Sequence, residues 1–314
     1  MQTFSLPDMK PIPAVPRGGV WVLGFFDGVH AGHQKLLASA AELADRSGNP
    51  DGIGVWTFSA LPKAKELLTA PEERSALLAR YGVKWLTLAS FPAVAHLSGE
   101  QFFREILLAG YAPSAIVCGF NFRFGHGGGS SAADLVRWGE ESGVQVRIVP
   151  PYEENGRPVS STWIRNLVRE GDLSGARKLL TRPYSITGVV EHGKALGRKL
   201  GFPTANIRLP AGKVIPSAGV YACKAGFTDK NGQSWLKPGV CNIGFRPTVN
   251  GDREDVTVET WILDYAGDLY DLPMEIFLYK KLRDERRFDS LEELTARVLE
   301  DGAQVRAMFT ETSG

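Results

Sequence analysis

The sequence is poor in cysteine, and its cysteines are arranged neither as a disulfide framework nor as a metal site. Only three occur in 314 residues, at Cys118, Cys223 and Cys241. An odd number cannot pair completely, and none of them has the short spacing typical of zinc-binding cysteines. The sequence therefore argues against a disulfide-rich secreted domain and favours buried thiols in a reducing cytoplasm.

An excess of charge of one sign and long apolar runs are also lacking. The formal net charge is +1, from 36 Lys and Arg residues against 35 Asp and Glu residues. This balance gives no bulk attraction to nucleic acid or to an anionic membrane surface. No apolar run approaches the ~20 residues of a membrane span, and residues 1–17 contain no apolar signal core. We expect a cytoplasmic protein without a nucleic-acid or membrane partner, monomeric or weakly homo-oligomeric.

The composition is that of a globular protein, with 43% hydrophobic and 23% charged residues over a length sufficient for two domains. In the first half, short apolar runs alternate with helical segments. The predicted strands are residues 20–23, 53–58, 85–88, 115–118 and 145–149, and the predicted helices include residues 34–43, 98–109 and 134–141. This alternation predicts a Rossmann-like α/β domain, a parallel sheet with helices on both faces and a ligand cleft at the strand carboxyl ends.

The stretch around the first strand carries the strongest chemical signal in this half. Gly24 and Gly28 permit a tight turn between that strand and the following helix. A strand, a glycine turn and a helix N-terminus present free backbone amides and a positive dipole end to an anion. His30 and His33 lie three residues apart and therefore share a face of the first turn. The interpretation is a site for a phosphate chain, although an ordinary strand-to-helix turn explains the glycines alone.

Two later loops also follow predicted strand ends. After the fourth strand, Phe122 and Phe124 are suited to wall a planar ligand and Asn121 to hydrogen-bond it. A packed loop is the competing interpretation. After the fifth strand, hydroxyl residues 160–162 open a helix that has Arg165 one turn inside. This pattern suits a triphosphate tail, whereas helix capping explains the hydroxyls alone.

Beyond residue 182 the apolar period changes from helical to alternating, which predicts a domain boundary. Residues 1–182 and 183–314 are therefore assigned to separate domains. Strands without intervening helices predict a small antiparallel β-barrel, closed by a helix that starts near Ser290. The predicted strands are residues 184–190, 220–225, 236–243, 255–263 and 274–278, with turns at residues 230–232 and 250–251.

The second domain has candidate phosphate, metal and proton-accepting groups. The basic, glycine-rich residues 193–199 lack the ending of a P-loop, so an exposed hairpin competes with a phosphate cradle. Thr204 and Asn206 are two apart on an extended segment, so their oxygens face one side and suit Mg²⁺ together with phosphate oxygens. Glu259 is either a cross-strand ion-pair partner or a carboxylate that accepts a hydroxyl proton.

The strings that carry these signals resemble a known family. Gly24-Phe-Phe-Asp-Gly-Val-His-Ala-Gly-His33 and Val159-Ser-Ser-Thr-Trp-Ile-Arg165 are similar to the two signatures of the His-x-Gly-His nucleotidyltransferases. Later strings resemble the riboflavin kinase module in family order. Together they resemble the bacterial bifunctional riboflavin kinase/FAD synthetase family over nearly the whole chain. The kinase-like strings are residues 197–206, 242–248, 258–260 and 282–290.

The resemblance implies an adenylyltransferase domain, a kinase barrel and roles for individual residues. It implies that ATP is the co-substrate of both steps, that Mg²⁺ assists, and that riboflavin and FMN are the flavin substrates. The implied catalytic residues are His30, His33 and Arg165 in the first domain and Glu259, as the base, in the second. The other implied contacts are nucleotide binding by Gly24, Phe25, Asp27, Gly32, Ser160, Ser161 and Thr162; flavin binding by Asn121, Phe122, Phe124 and Arg283; kinase nucleotide binding by Gly193, Lys194, Gly197, Arg198 and Lys199; and metal binding by Thr204 and Asn206.

One segment departs from the family pattern. After the second strand the family usually has Thr-Phe-x-Pro-x-Pro, whereas this chain has Thr57-Phe-Ser-Ala-Leu-Pro-Lys63. Because that loop shapes the flavin side of the cleft in relatives, two alternatives stay open: a riboflavin kinase with an impaired adenylyltransferase domain, and a non-catalytic flavin-binding sensor. The intact phosphate-binding strings argue against the first, and Glu259 argues against the second. We expect an enzyme that phosphorylates riboflavin to FMN and adenylylates FMN to FAD.

Overall fold

A computed structural model describes residues 1–6, 17–46, 52–60, 66–193, 197, 200–247 and 254–310. The chain divides into two compact units, Met1–Ser161 and Thr162–Gly314. The predicted boundary after residue 182 stays a prediction, because compactness alone does not locate the end of a functional module. None of the described helices is long and apolar enough to cross a membrane.

The first unit is built on a six-stranded parallel sheet with the order β1-β4-β3-β2-β5-β8. Two short antiparallel pairs, β6 with β7 and β9 with β10, lie outside this sheet. The strands are β1 (Gln2–Leu6), β2 (Val20–Leu23), β3 (Ile53–Phe58), β4 (Val83–Ala89), β5 (Ala115–Gly119), β6 (Arg123–Phe124), β7 (Ser130–Ser131), β8 (Gln145–Val149), β9 (Glu153–Glu154) and β10 (Arg157–Pro158).

Apolar residues pack on both faces of this sheet. In β2, Trp21 and Leu23 belong to one core cluster, whereas Val20 and Val22 belong to the other. A strand buried on both faces reads as a continuous apolar run, which is the pattern that the sequence displays here. The helices are α1 (Ala31–Arg46), α2 (Pro71–Arg80), α3 (Phe91–Val94), α4 (Gly99–Gln101) and α5 (Ala132–Ser142).

The strand order places a switch point at β2. The chain leaves β2 for β3 on one side of the sheet, and β5 pairs with β2 on the other side. In open parallel sheets, ligands bind outside the strand carboxyl ends at such a point. The loops after Leu23 and after Gly119 therefore flank the expected cleft.

The first strand and the helix after Ser98 differ from the sequence prediction. The edge strand β1 was not predicted, because Phe4 is its one buried residue and a single buried side chain gives no apolar pattern. The helix predicted over residues 98–109 does start with the expected capping box at Ser98, but it continues as a π-helix over Phe102–Tyr111. Its buried residues recur at 102–103, 106–107 and 111, a spacing wider than that of an α-helix.

The second unit is a closed barrel with the strand order β11-β12-β15-β14-β13-β16, in which every pairing is antiparallel. This confirms the expected barrel and adds β12 to the predicted strands. Its elements are α6 (Ser161–Glu170), α7 (Leu173–Leu180), β11 (Tyr184–Glu191), β12 (Thr204–Arg208), β13 (Gly219–Thr228), β14 (Ser234–Pro247), β15 (Glu254–Ile262), β16 (Pro273–Arg283) and α8 (Leu291–Thr310). The turn expected at residues 230–232 is present, with Gly232 at φ 83°, whereas the turn expected at residues 250–251 lies outside the described residues.

The terminal helix α8 is fixed to the barrel by close packing and by a buried ion pair. Gly302 faces Trp261, where an added Cβ would lie 2.6 Å from the indole ring. Asp301 has 0% side-chain exposure, and its Oδ2 accepts hydrogen bonds from Arg283 Nε at 3.0 Å and Nη2 at 2.9 Å. Arg297 Nε lies 3.5 Å from the other oxygen of the same carboxylate. The end of β16 is therefore tied to α8.

We expect Asp301→Ala to lower the stability of the second unit by about 3–5 kcal/mol, because it leaves the 14% exposed guanidinium of Arg283 without its carboxylate. Hydrogen exchange of barrel-strand peptides, read by mass spectrometry, measures this loss. Asp264→Ala is the matched control, since its pair with Arg306 has side chains that are 69% and 45% exposed; the expected loss is below ~1 kcal/mol. Equal effects of the two variants would contradict a structural role for the buried pair.

Candidate active sites

The loop between β2 and α1 has an unusual backbone. Phe26 and Val29 have φ values of 59° and 40°, in the left-handed region that favours glycine. Both side chains are fully buried. Such conformations cost about 1–3 kcal/mol each and persist where surrounding contacts over-determine them. The loop is therefore shaped by its surroundings and not by local preference.

His30 and His33 come together as predicted. Their rings stack at a centroid distance of 3.7 Å with 20° between the planes, and the Phe26 ring lies 5.0 Å from that of His33. His30 immediately precedes α1 and His33 lies in its first turn. Gly32 brings the backbone close to the pair, since an added Cβ would lie 3.1 Å from His30 Cε1. Two imidazoles thus stand at a helix N-terminus.

Asp27 has a different position from the predicted nucleotide contact. Its side chain is 2% exposed, and Oδ1 accepts hydrogen bonds from the Leu68 amide at 2.8 Å and the Thr69 amide at 3.1 Å. The neighbouring Gly28 amide donates to Thr69 Oγ1 at 3.0 Å. Asp27 is not among the residues that line the adjacent cavity. This geometry favours a role in fixing the loop, and the direct nucleotide contact stays a prediction.

A cavity of about 850 Å³ lies between the loop after β2 and the loop after β5. His30 and His33 line one part of it, and no Asp or Glu of the described chain is among its lining residues. A cavity of this size with aromatic walls, two imidazoles and the cationic Arg123 suits a planar ligand that carries phosphate. Its aromatic lining residues are Phe25, Trp56, Phe58, Phe91, Phe102, Phe120, Phe122, Phe124 and Tyr152.

Most of the site residues predicted for the first domain line this cavity. Phe122 and Phe124 stack on each other at 5.5 Å and 19°, with Asn121 beside them in the wall. Ser160 also lines the cavity, and so does Ser161, whose hydroxyl donates to the Asp27 carbonyl at 2.8 Å. Gly24, Phe25 and Gly32 complete the set of predicted residues in this lining.

Thr162 and Arg165 belong to the second unit and are joined by a 3.0 Å hydrogen bond from Nη2 to Oγ1. Their predicted nucleotide contacts stay predictions. The segment that departs from the family pattern is described only as far as residue 60, so its shortening at residues 61–63 lies outside the described residues.

In the barrel, the predicted kinase residues lie in one row across neighbouring strands. Asn206 on β12 and Asn242 on β14 are both register partners of Glu259 on β15. Directly opposite residues in antiparallel strands share a face. These three side chains are half-buried, whereas Ala205, Cys241 and Thr260, the adjacent residues on the opposite face, are buried. The row therefore lies on the outer face, away from the core.

Asn242 was not predicted as a site residue, although it starts one of the kinase-like strings. Its amide Nδ2 donates to Glu285 Oε1 at 3.3 Å, so a second carboxylate stands near Glu259 in this part of the barrel. The predicted flavin-binding residue Arg283 instead directs its guanidinium to Asp301. The structure thus gives Arg283 a supporting position, and its contact with flavin stays a prediction.

The glycine-rich segment before β12 is described only in part. Gly193 lies against Asn206, and an added Cβ would collide with the Asn206 amide. Gly197 is equally close to the backbone of Phe202, since an added Cβ would lie 2.5 Å from the Phe202 carbonyl oxygen. Only residues without a side chain allow these approaches. The other predicted phosphate contacts, Lys194, Arg198 and Lys199, lie outside the described residues.

The fold and the two sites define a nucleotide-using enzyme with two catalytic modules, one a Rossmann-like sheet and the other a small barrel. Residues 12–163 match the family model for FAD synthetase, and residues 180–309 match the family model for riboflavin kinase. The chain belongs to the bifunctional riboflavin kinase/FMN adenylyltransferase family, which confirms the resemblance seen in the sequence.

Individual relatives cover nearly the whole chain. The bifunctional riboflavin kinase/FMN adenylyltransferase of Pseudomonas fluorescens is 39% identical over 302 residues, 93% of this chain and 93% of that protein. The same enzyme of Bacillus subtilis (strain 168) is 34% identical over 302 residues, 93% of this chain and 92% of its own. The crystal structure of a macrolide-efflux protein from Streptococcus pneumoniae has a TM-score of 0.86 at 31% identity, covering 98% of this chain and 99% of that one.

Proposed function

We propose that this chain converts riboflavin to FAD in two ATP-dependent steps, each in its own module. The observation that carries the proposal is the separation of two chemically different sites: a histidine pair in a cavity of the first unit that no described Asp or Glu lines, and a row of Glu259 with two asparagines on the barrel of the second. Each site lies in the part of the chain that matches the corresponding family model.

In the barrel, Glu259 accepts the proton of the riboflavin 5′-hydroxyl as that oxygen forms a bond to the γ-phosphorus of ATP. The bond between the γ-phosphorus and the bridging oxygen breaks, which gives FMN and ADP. Asn206 and Asn242 flank Glu259 in the strand register and orient the groups around it. The glycine-rich residues 193–199 hold the phosphates through backbone amides and basic side chains.

Thr204 and Asn206 fit a Mg²⁺ ion that is held mainly by the nucleotide. They offer neutral oxygens on one face of β12, and the backbone of Gly193 packs directly against the Asn206 amide. Among the residues that the structure describes, no group of three or more His, Cys, Asp or Glu residues could hold a metal. This agrees with an ion that keeps water and phosphate oxygens as ligands. When bound, Mg²⁺ would neutralise charge on the phosphates.

In the first unit, a phosphate oxygen of FMN attacks the α-phosphorus of a second ATP. The new phosphorus–oxygen bond forms FAD, and pyrophosphate leaves. No protein nucleophile is needed, because FMN brings its own anionic oxygen. His30 and His33 stabilise negative charge on the phosphates at the helix N-terminus, while the aromatic walls hold the flavin ring.

A chromatographic time course with riboflavin, excess ATP and Mg²⁺ tests the whole proposal. We expect FMN to rise first and then to decline as FAD accumulates. FMN that accumulates without FAD, even when FMN is supplied directly, would leave a monofunctional riboflavin kinase. The absence of any flavin conversion would favour a flavin-binding sensor over an enzyme.

The role of Glu259 has a separate test. We expect Glu259→Gln to lower kcat for riboflavin phosphorylation by about 10²–10⁴-fold, because the amide cannot accept the hydroxyl proton. Adenylylation of added FMN by the same protein serves as the internal control and should keep its wild-type rate. Wild-type riboflavin phosphorylation by this variant would show that Glu259 is not the base.

A further inference from the structure

The helix α2 places a buried arginine against the loop after β2. Arg74 lies in the first turns of α2 and is 1% exposed. Its Nη1 donates to the Phe25 carbonyl at 3.0 Å, and Nη2 donates to the Phe58 carbonyl at 2.8 Å and the Ser59 carbonyl at 3.2 Å. The guanidinium carbon also lies 4.8 Å from the centroid of the Phe25 ring. One side chain thus joins the loop after β2 to the end of β3.

Arg74 acts together with the residues just before it in the chain. Leu68 and Thr69 hold the Asp27 carboxylate through their amides, and Thr69 Oγ1 accepts the Gly28 amide. The segment of residues 68–74 therefore fixes three consecutive parts of the loop: the Phe25 carbonyl, the Asp27 side chain and the Gly28 amide. These contacts bracket the left-handed Phe26, which needs such support.

Burying a guanidinium costs free energy, because it takes a charge out of water. Burial lowers the pKa of Arg74 from its ordinary value, and the nearby Asp27 charge opposes this effect. Apolar side chains of similar volume often replace buried charged groups without loss of stability. The planar fork of donors, however, reaches several carbonyl oxygens in fixed directions, which neither an apolar side chain nor lysine can do. The presence of a buried arginine at this position is therefore better explained by the geometry that its hydrogen bonds impose on the loop.

We propose that Arg74 is a positioning residue for adenylyl transfer, which holds the Phe25–Gly28 loop in the shape that presents His30, His33 and the helix amides to the phosphates. Arg74 does not line the cavity, so it acts through the loop and not on the substrate. This inference rests on the proposed adenylyltransferase activity. A misplacement of about 1 Å at a reacting centre costs roughly 10²-fold in rate, which is the size of effect expected here.

Arg74→Lys is the first test, since it keeps the positive charge and removes the fork. We expect kcat for FMN adenylylation to fall about 10²-fold and KM for ATP to rise, while riboflavin phosphorylation by the same protein keeps its wild-type rate. Arg80→Lys is the matched control, because Arg80 lies on the same helix but is exposed; it should change neither activity. Wild-type adenylylation by Arg74→Lys would overturn the inference.

Hydrogen exchange separates positioning from a general loss of structure. In Arg74→Lys, peptides covering residues 24–33 should exchange faster, while peptides from β2, β4 and β5 stay protected. If Arg74→Lys instead loses protection throughout the sheet, Thr69→Val decides, because it removes the hydroxyl that accepts the Gly28 amide and donates to Asp27 Oδ1, while the backbone amides that hold Asp27 remain. We expect that variant to lower kcat and to speed exchange in residues 24–33; unchanged kcat in it would overturn the inference. Failure of the wild-type chain to adenylylate FMN would instead refute the proposed function.

Discussion

The backbone of the loop after β2 is the constraint on which the first unit depends. Phe26 and Val29 adopt left-handed conformations that their own residue types disfavour, so the loop exists only because its neighbours hold it. Arg74 and Asp27 supply polar contacts on one side, and the buried ring of Phe26 supplies packing on the other. The result is a rigid passage from β2 to α1 that sets two imidazoles side by side at a helix N-terminus. Catalysis by preorganised charge requires this rigidity.

In the barrel, strand register holds the candidate site residues in place. Because side chains alternate between faces, Glu259, Asn206 and Asn242 lie in one outer row while Ala205, Cys241 and Thr260 fill the interior. Each of these three polar side chains is therefore fixed by the core residues beside it in sequence. The buried pair of Asp301 and Arg283 adds a second anchor, which ties the end of β16 to α8. The candidate site residues of the two modules therefore lie on regular elements or on a loop that is fixed by contacts on several sides.

The sequence predicted the features that depend on local pattern. The strands β2, β3 and β8 were predicted with their observed bounds, and the stacking of His30 on His33 follows from their spacing and the helix that begins between them. Features set by distant contacts were missed. The strand β1 has one buried residue and needs β4 to exist, while the importance of Arg74 appears only when three carbonyls meet at its guanidinium. Asn242 was likewise recognised as part of a motif, but only its strand register with Glu259 shows that it belongs to the candidate site.

The central claim is that two independent sites on one chain act in sequence. Its most direct test mixes a Glu259→Gln protein with a His33→Ala protein and follows riboflavin, ATP and Mg²⁺ by chromatography. The account predicts that each variant alone forms FAD from riboflavin far more slowly than the wild-type chain, and that the mixture forms it much faster than either, because FMN released by His33→Ala is adenylylated by Glu259→Gln. A mixture that forms FAD no faster than the separate variants, while each variant retains the activity of its unaltered module, would contradict the account.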